Sequence, residues 1–533
     1  MLIGWITAKR CQSNFVRASL RRFIAVENLK PKLGPKANIK YYNVQMDIEK
    51  LQVLLPFCKP EQRNQGQELP MVHPAKTLSD RLSLIFASIA LLSDGYQANI
   101  IGAVKLCLEE IYGSSVLKTN QMGTRISNAL LIGNIVGMIA FGLIIDRLGR
   151  KFGIVLCTLI VCLGIILATA AKSDNPTTIL WLIVVWRGLT GVGTGGEYPC
   201  SSVVAGESAE ESHRSRGFWL IFSGDFIIDV GFLVATIVPV ILLAICGEGG
   251  LEVVWRLSLG LGLLLPLSVF YFRLKMLNSN AYSKEALTKD VPYLLILKHY
   301  WPQLLITGGI WFLYDFITYS FGLFSDTILA MAVPGNSLMQ TFQWNIVLNV
   351  FYPFGSIAGA YLLPYVGTRY LLAGGFLFQA ILGCIIGGLS TQIVSIFPLF
   401  VVLYGIFLAL GEVGGGNCTI VIANEMYPTA IRGTMFGLSA AIGKAGAAIG
   451  TQVFIPIFAA MTEYTNGDEI KAQGYVFIIG SLIALVIAII SYFTVPDMTK
   501  LRYQDRDEEF RQMLEANGYD VTKLGFHVEK TAA

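Results

Sequence analysis

The chain has 533 residues, of which 54% are hydrophobic and only 14% charged, with a mean hydropathy of +0.59. Soluble domains carry about 25% charged residues, so this composition excludes a soluble globular protein and defines a multi-span membrane protein. The formal net charge of +4 is small, and its placement says more than its size.

Residues 1–80 are polar, Pro-containing and without sustained periodicity. The first forty hold Lys9, Arg10, Arg17, Arg21, Arg22, Lys30, Lys32, Lys36 and Lys40 against one acid, Glu27. The expected reading is a disordered basic cytoplasmic tail or an upstream extension of the gene model, with an Arg-rich presequence as the alternative.

From residue 82 onward, apolar stretches of spanning length recur, each near the ~20 residues a helix needs to cross the hydrocarbon core. They are expected at 82–106, 122–145, 152–171, 178–203, 217–246 and 252–273, forming an N-terminal six-helix bundle over 81–273. A charged central loop, 274–300, follows. The second bundle, 301–495, is expected from spans at 301–331, 341–364, 370–390, 394–418, 432–461 and 474–495. Residues 496–533 read as a charged cytoplasmic tail. The expected fold is therefore an all-α membrane protein of twelve helices in two pseudo-symmetric halves, with a site at their interface near the midplane. Cations concentrate in the leader, "DRLGRK" (146–151), the central loop and the tail. Both termini are thus expected on the cytoplasmic side of the bilayer. The nine cysteines show no metal or disulfide spacing and read as small core residues.

Within the spans, ionisable residues are the candidates for function, because charge inside a bilayer is costly. The stretch "GIWFLYDFITYS" (309–320) places Trp311, Asp315 and Tyr319 four residues apart, on one helix face. Asp225 and Asp229 share a face in the same way. Each half also carries an acid followed by Arg-Gly, Glu207 with Arg216-Gly217 and Glu425 with Arg432-Gly433. Such pairs at helix ends can latch neighbouring helices.

"GLIIDRLGRK" (142–151) and "RGLTGVGTGGEYP" (187–199) resemble two motifs of the major facilitator superfamily. Gly142, Asp146, Arg147, Gly149 and Arg150 stand in the places of its gating loop. Stretches such as "LLSDGYQANIIG" (91–102), "WFLYDFITYSFGLFSDTI" (311–328) and "RGTMFGLSAAIGKAGAAIG" (432–450) resemble its phosphate:proton symporter branch, and within it fungal glycerophosphodiester permeases of the glycerophosphoinositol type. The resemblance covers nearly all of 80–515. In the second half, Pro364 replaces the Asp of the gating loop, which implies that gating rests more on the first half.

The resemblance implies a phosphoryl site lined by Trp311, Asp315, Tyr319, Tyr198 and Lys444, with Lys444 as a point-charge anion binder. A structural Lys444 would instead need an acid such as Glu412 or Glu425. Asp94, Glu197, Arg187 and Asp315 are the implied proton-coupling residues; Arg187 either pairs with an acid of the first span or is satisfied by carbonyls. Two departures weaken an inorganic-phosphate reading. Asn417 lies one position from the expected Asn, and the fifth span carries Asp225 and Asp229 where a Gln is usual; separately, Gln97 replaces a further acid in the first span. Two extra acids suit the hydroxyls or cation of a phosphodiester better than a phosphate dianion.

The expected activity is proton-coupled import of glycerophosphoinositol or glycerophosphocholine at the plasma membrane by alternating access. An inorganic phosphate symporter is the alternative, and a non-transporting nutrient receptor a further one; a sugar symporter ranks behind the phosphate reading. No nucleophile–base set occurs in the spans, so an enzyme is not expected. The expected partners are a small phosphodiester or phosphate, protons and the lipid bilayer. No cofactor, metal or nucleic acid is expected, and the chain reads as a monomer.

Overall fold

The computed structural model describes residues 89, 91–148, 150–208, 213–274, 291–332, 337–498 and 503–521. The leader, 1–80, lies outside the described residues, as does most of the central loop. Everything described from residue 89 onward belongs to one compact unit.

The apolar stretches all become helices. Helix α1 runs through residues 91–99 and, after a turn at Ile100, Ile101–Tyr112. The first half continues with α2 (Met122–Leu148), α3 (Arg150–Thr169), α4 (Pro176–Ser208), α5 (Gly217–Cys246) and α6 (Glu248–Leu274). The second half holds α7 (Tyr293–Leu323), α8 (Leu338–Val366), α9 (Thr368–Gly388), α10 (Phe397–Glu425), α11 (Arg432–Tyr464) and α12 (Glu469–Thr494). Eleven of these twelve, α2 to α12, are long and apolar enough to span a bilayer among the described residues. The expected first span starts at residues that are not described, which leaves only its α1 portion in view.

Local chemistry sets several boundaries. Ser337 and Asp468 cap α8 and α12, accepting from the backbone N–H groups of Gln340 and Lys471. Gly367 adopts φ 83°, open to glycine at little cost, and turns α8 directly into α9.

Two expected boundaries move. Helix α7 begins at Tyr293, eight residues before the apolar window at 301, because it runs on past the hydrocarbon-length segment through Lys298 and His299. The C-terminal tail is not wholly extended from the bundle. Its helix α13 (Tyr503–Ala516) buries Phe510 and Leu514, sets Phe510 6.4 Å from the ring of Tyr300, and places Asp507 on Thr429, with the backbone N–H at 2.6 Å and the hydroxyl at 2.9 Å.

Packing within each half uses small residues, since lipid supplies no hydrophobic drive between helices. Gly133 of α2 and Gly191 of α4 bring their backbones together, and Gly446 of α11 lies on the Phe312 carbonyl of α7. Two seams join the halves, α2 against α11 and α5 against α8. In the first, Gly437 rests on the Met138 carbonyl and on Gly142.

Two helices depart from α geometry at facing positions. Phe222–Phe226 in α5 and Glu412–Gly416 in α10 are single π-helical turns. Such turns add a residue to the register and often mark functional sites.

Candidate functional site

Helices α4, α5, α7, α10 and α11 converge on a narrow cavity between the halves. One end is built around Lys444 of α11. Its ammonium donates to Asp315 Oδ2 at 3.0 Å and to Tyr319 Oη at 2.7 Å. Both charged side chains are buried, at 3% and 1% exposure. Lys444 also lies 4.1 Å from the ring centre of Tyr319 and 5.2 Å from that of Tyr198. Trp311 completes this end, one turn before Asp315 and beside its carboxyl. The i,i+4 stripe of α7 therefore faces one cation, and the acid partner of Lys444 is Asp315, not Glu412 or Glu425. An ammonium and several O–H and N–H donors around one small space can bind an anionic oxygen cluster.

The other end is acidic. Asp225 and Asp229 line it, joined by Glu412 of α10, which sequence reasoning had placed only as a conceivable partner of Lys444. Tyr314 donates to Glu412, with its Oη 2.7 Å from each carboxylate oxygen. Tyr314 was missed because it neighbours Asp315 in sequence and so lies about 100° around the helix from it. Its ring packs edge-on against Phe376, which turns the hydroxyl toward α10. The signal for Glu412 was present in "LGEVGGGN": an acid in an apolar span, followed by glycines.

Three expected site residues lie elsewhere. Asn417 donates to the Ser356 carbonyl of α8 at 3.0 Å and ties α10 to α8, away from the cavity. The π turn just before it displaces the register, so Gly416 and Thr419 take the lining positions. Glu197 is turned away for a different reason, on the regular helix α4. It precedes Tyr198 by one residue, so only one of them can face the cavity; Glu197 turns into the first half and pairs with Arg273 at 2.7 Å, beside Thr158. Arg187 does not reach an acid of α1. Its guanidinium donates to the Gln97 carbonyl at 3.0 Å and the Ile126 carbonyl at 3.3 Å. Asp94 is fully buried beside Tyr198, Thr194 and Asn134, within electrostatic reach of Lys444.

Beyond the clamp, a second small space shares Phe232, Thr318 and Tyr319 with the first. It is closed by Asn99 of α1, whose amide donates to Asn349 of α8 at 2.9 Å, crossing between the halves. At the opposite end, Asp146 of α2 accepts from the backbone N–H groups of Gly433 (3.2 Å) and Thr434 (2.5 Å). It thereby caps the N-terminus of α11, where a carboxylate is favoured by the exposed N–H groups and the helix dipole. Arg147 bonds the Tyr293 hydroxyl at 2.9 Å. Glu425 and Arg432 are buried near this end. Gly149 lies outside the described residues, as do the side chains of Arg150, Glu207 and Arg216.

Removing the Asp146 cap should loosen the α2–α11 seam. We expect Asp146→Ala to cost about 1 kcal/mol at this contact, which corresponds to roughly fivefold in an equilibrium. In a Met435→Cys background, maleimide labelling of the purified protein should accelerate about fivefold. An unchanged rate would remove the seam role of Asp146.

Two pseudo-equivalent six-helix halves enclosing a buried polar cavity, closed by cross-half contacts at either end, define a membrane transporter. The sequence model of the sugar (and other) transporter family matches residues 83–286 and 275–510, and the chain belongs to that family. The glycerophosphoinositol permease 1 of Candida albicans is 36% identical, with 83% of each chain covered. A glycerophosphocholine permease of the same organism is 37% identical, again over 83% of each. Among solved structures, the proton:xylose symporter XylE from E. coli superposes with a TM-score of 0.65 at 16% identity, covering 81% of this chain and 99% of its own. That likeness speaks to the fold. Members of the family are transporters, and the chain is a multi-pass membrane transporter of small molecules, not an enzyme.

Proposed function

We propose that the protein imports glycerophosphodiesters, with the phosphoryl group held by Lys444, Tyr319, Tyr198 and Trp311. The observation that carries this reading is the buried ammonium of Lys444 within a ring of donors, in a cavity that also holds acids able to meet a polar alcohol head. The relatives named as glycerophosphoinositol and glycerophosphocholine permeases support the substrate class.

The chemistry of coupling follows from the Lys444–Asp315 pair. Ionised, Asp315 neutralises Lys444 and repels an incoming anion. Protonated, it becomes a hydrogen-bond donor and leaves the ammonium to the phosphate. Proton and anion thus enter together, and Asp94, across the cavity wall, is the second carboxyl that can relay the proton. Asp146 and Arg147 form the gate toward the cytoplasm, with both termini on that side and the protein in the plasma membrane, working as a monomer.

Uptake of radiolabelled glycerophosphoinositol, glycerophosphocholine and phosphate by transporter-deficient cells tests the reading. Both diesters should accumulate, and a protonophore should abolish accumulation. Accumulation of phosphate alone would replace the diester reading with that of a phosphate symporter. Binding without accumulation would indicate a receptor. Uptake insensitive to the protonophore would remove the coupling.

A further inference from the structure

The phosphoryl clamp accounts for one end of the cavity and leaves the acidic end without a ligand. There Asp225, Asp229 and Glu412 each bring a carboxylate oxygen to within 4.8 Å of the others. All three are at least nine-tenths buried. Asp225 and Asp229 line the same cavity as Lys444; Asp225 lies against the Glu412 carboxyl and Asp229 beside Ser356, and the Oδ2 atom of each is left without a hydrogen-bond partner. Buried acceptors without donors are expensive.

The backbone is shaped to put them there. Asp225 sits in the π turn of α5 and Glu412 in that of α10. Gly416 keeps the junction open: a side chain at that position would strike the carboxylates of Glu412 and Asp225 and the hydroxyl of Tyr314 together. These three groups therefore point at one spot.

The missing component is a donor pair. Glu412 is already served by Tyr314 at both oxygens, which leaves fewer free lone pairs for a metal ion. Lys444 is engaged with Asp315 and Tyr319. A quaternary ammonium carries no N–H or O–H to give the orphan oxygens. Two adjacent hydroxyls on neighbouring carbons do, and they match two acceptors spaced i,i+4 on one helix face.

We propose that Asp225 and Asp229 form a vicinal-diol subsite, with Glu412, fixed by Tyr314, closing its far wall. The inference rests on the phosphodiester reading above and deepens it: a phosphate ester is selected because its alcohol presents a diol. Either the glycerol unit or an inositol ring can supply that diol.

The test is competition against radiolabelled glycerophosphocholine uptake, in cells for which uptake by the unmodified protein has first been established. Absence of any diester uptake at that first stage refutes the phosphodiester reading; the outcomes below bear only on the diol. Glycerophosphocholine should compete on the order of 10²-fold better than 3-hydroxypropyl phosphocholine, which lacks one hydroxyl, since a site built to bond a hydroxyl rejects the analogue without it. If the inositol ring is the source instead, methyl phosphoinositol will match glycerophosphoinositol and both will exceed the two choline esters. The isosteric Asp225→Asn, Asp229→Asn protein should lose this discrimination. Equal competition by diol-bearing and diol-free esters in the unmodified protein overturns the proposal, whatever the variant's folding. So does selective loss of choline esters in the variant, which would mark a cation site. Loss of discrimination on adding a chelator would overturn it in favour of a metal.

Discussion

Lys444→Gln should abolish uptake and also weaken the fold. Lys444 and Asp315 are buried against each other at 3.0 Å, on helices α11 and α7 that pack along much of their length. Removing one member leaves an unpaired buried charge, which costs about 3–5 kcal/mol. Transport should fall by about 10²-fold or more, the usual scale for deleting one preorganised electrostatic contact. The two effects separate in the double replacement Lys444→Met, Asp315→Leu. An apolar pair of similar volume is often neutral for stability, so thermal unfolding in detergent should return near the unmodified value while uptake stays lost. Asp315→Asn alone keeps the shape and removes the titrating group, but it also strands the Lys444 ammonium and should lower the unfolding temperature as Lys444→Gln does. It should retain exchange of substrate across the membrane but not accumulation against a gradient. A double variant that transports normally would end the central role given to this pair.

Arg273→Met should be the most damaging substitution away from the cavity. Arg273 is fully buried at the end of α6 and bonds Glu197 of α4 and Thr158 of α3 in one contact set. Stranding the Glu197 carboxylate costs about 3–5 kcal/mol by the same argument. Unlike the Lys444 pair, this one lies within the first half and does not face the substrate. Restoring stability with Glu197→Leu in the Arg273→Met background should therefore recover uptake per folded molecule, with its pH profile unchanged. A shifted pH profile in that rescued protein would show that Glu197 takes part in proton movement. Calorimetry or thermal unfolding, together with uptake measured as a function of pH, reads both quantities.

The two outcomes differ because the two acids, both expected from the sequence to take part in proton coupling, are placed differently in space. Asp315 belongs to a stripe whose i,i+4 spacing already names a single face, and the fold turned that face to Lys444. Glu197 had only its neighbour Tyr198 as a guide, and adjacent helical residues point about 100° apart. Arg187 shows the same gap: its depth in the span was visible, but its choice of the Gln97 and Ile126 carbonyls over an acid depended on how α1 and α2 lie against α4. Asn417 was displaced by a π turn that no hydropathy profile records.

Linear sequence by itself determined the spans, their division into two halves and the face of α7 that carries the clamp. Those properties follow from transfer of apolar residues into lipid and from the 3.6-residue period, both of which are local. Only the tertiary structure decided which charge meets which. It paired Lys444 with Asp315 and Glu197 with Arg273, set Asp146 on the N-terminus of α11, and gathered Tyr314 and Glu412 with Asp225 and Asp229. A buried ionisable group must find a partner or a ligand, and the partner is set by helix crossing and by one-residue shifts in register, which become definite only when the helices are packed.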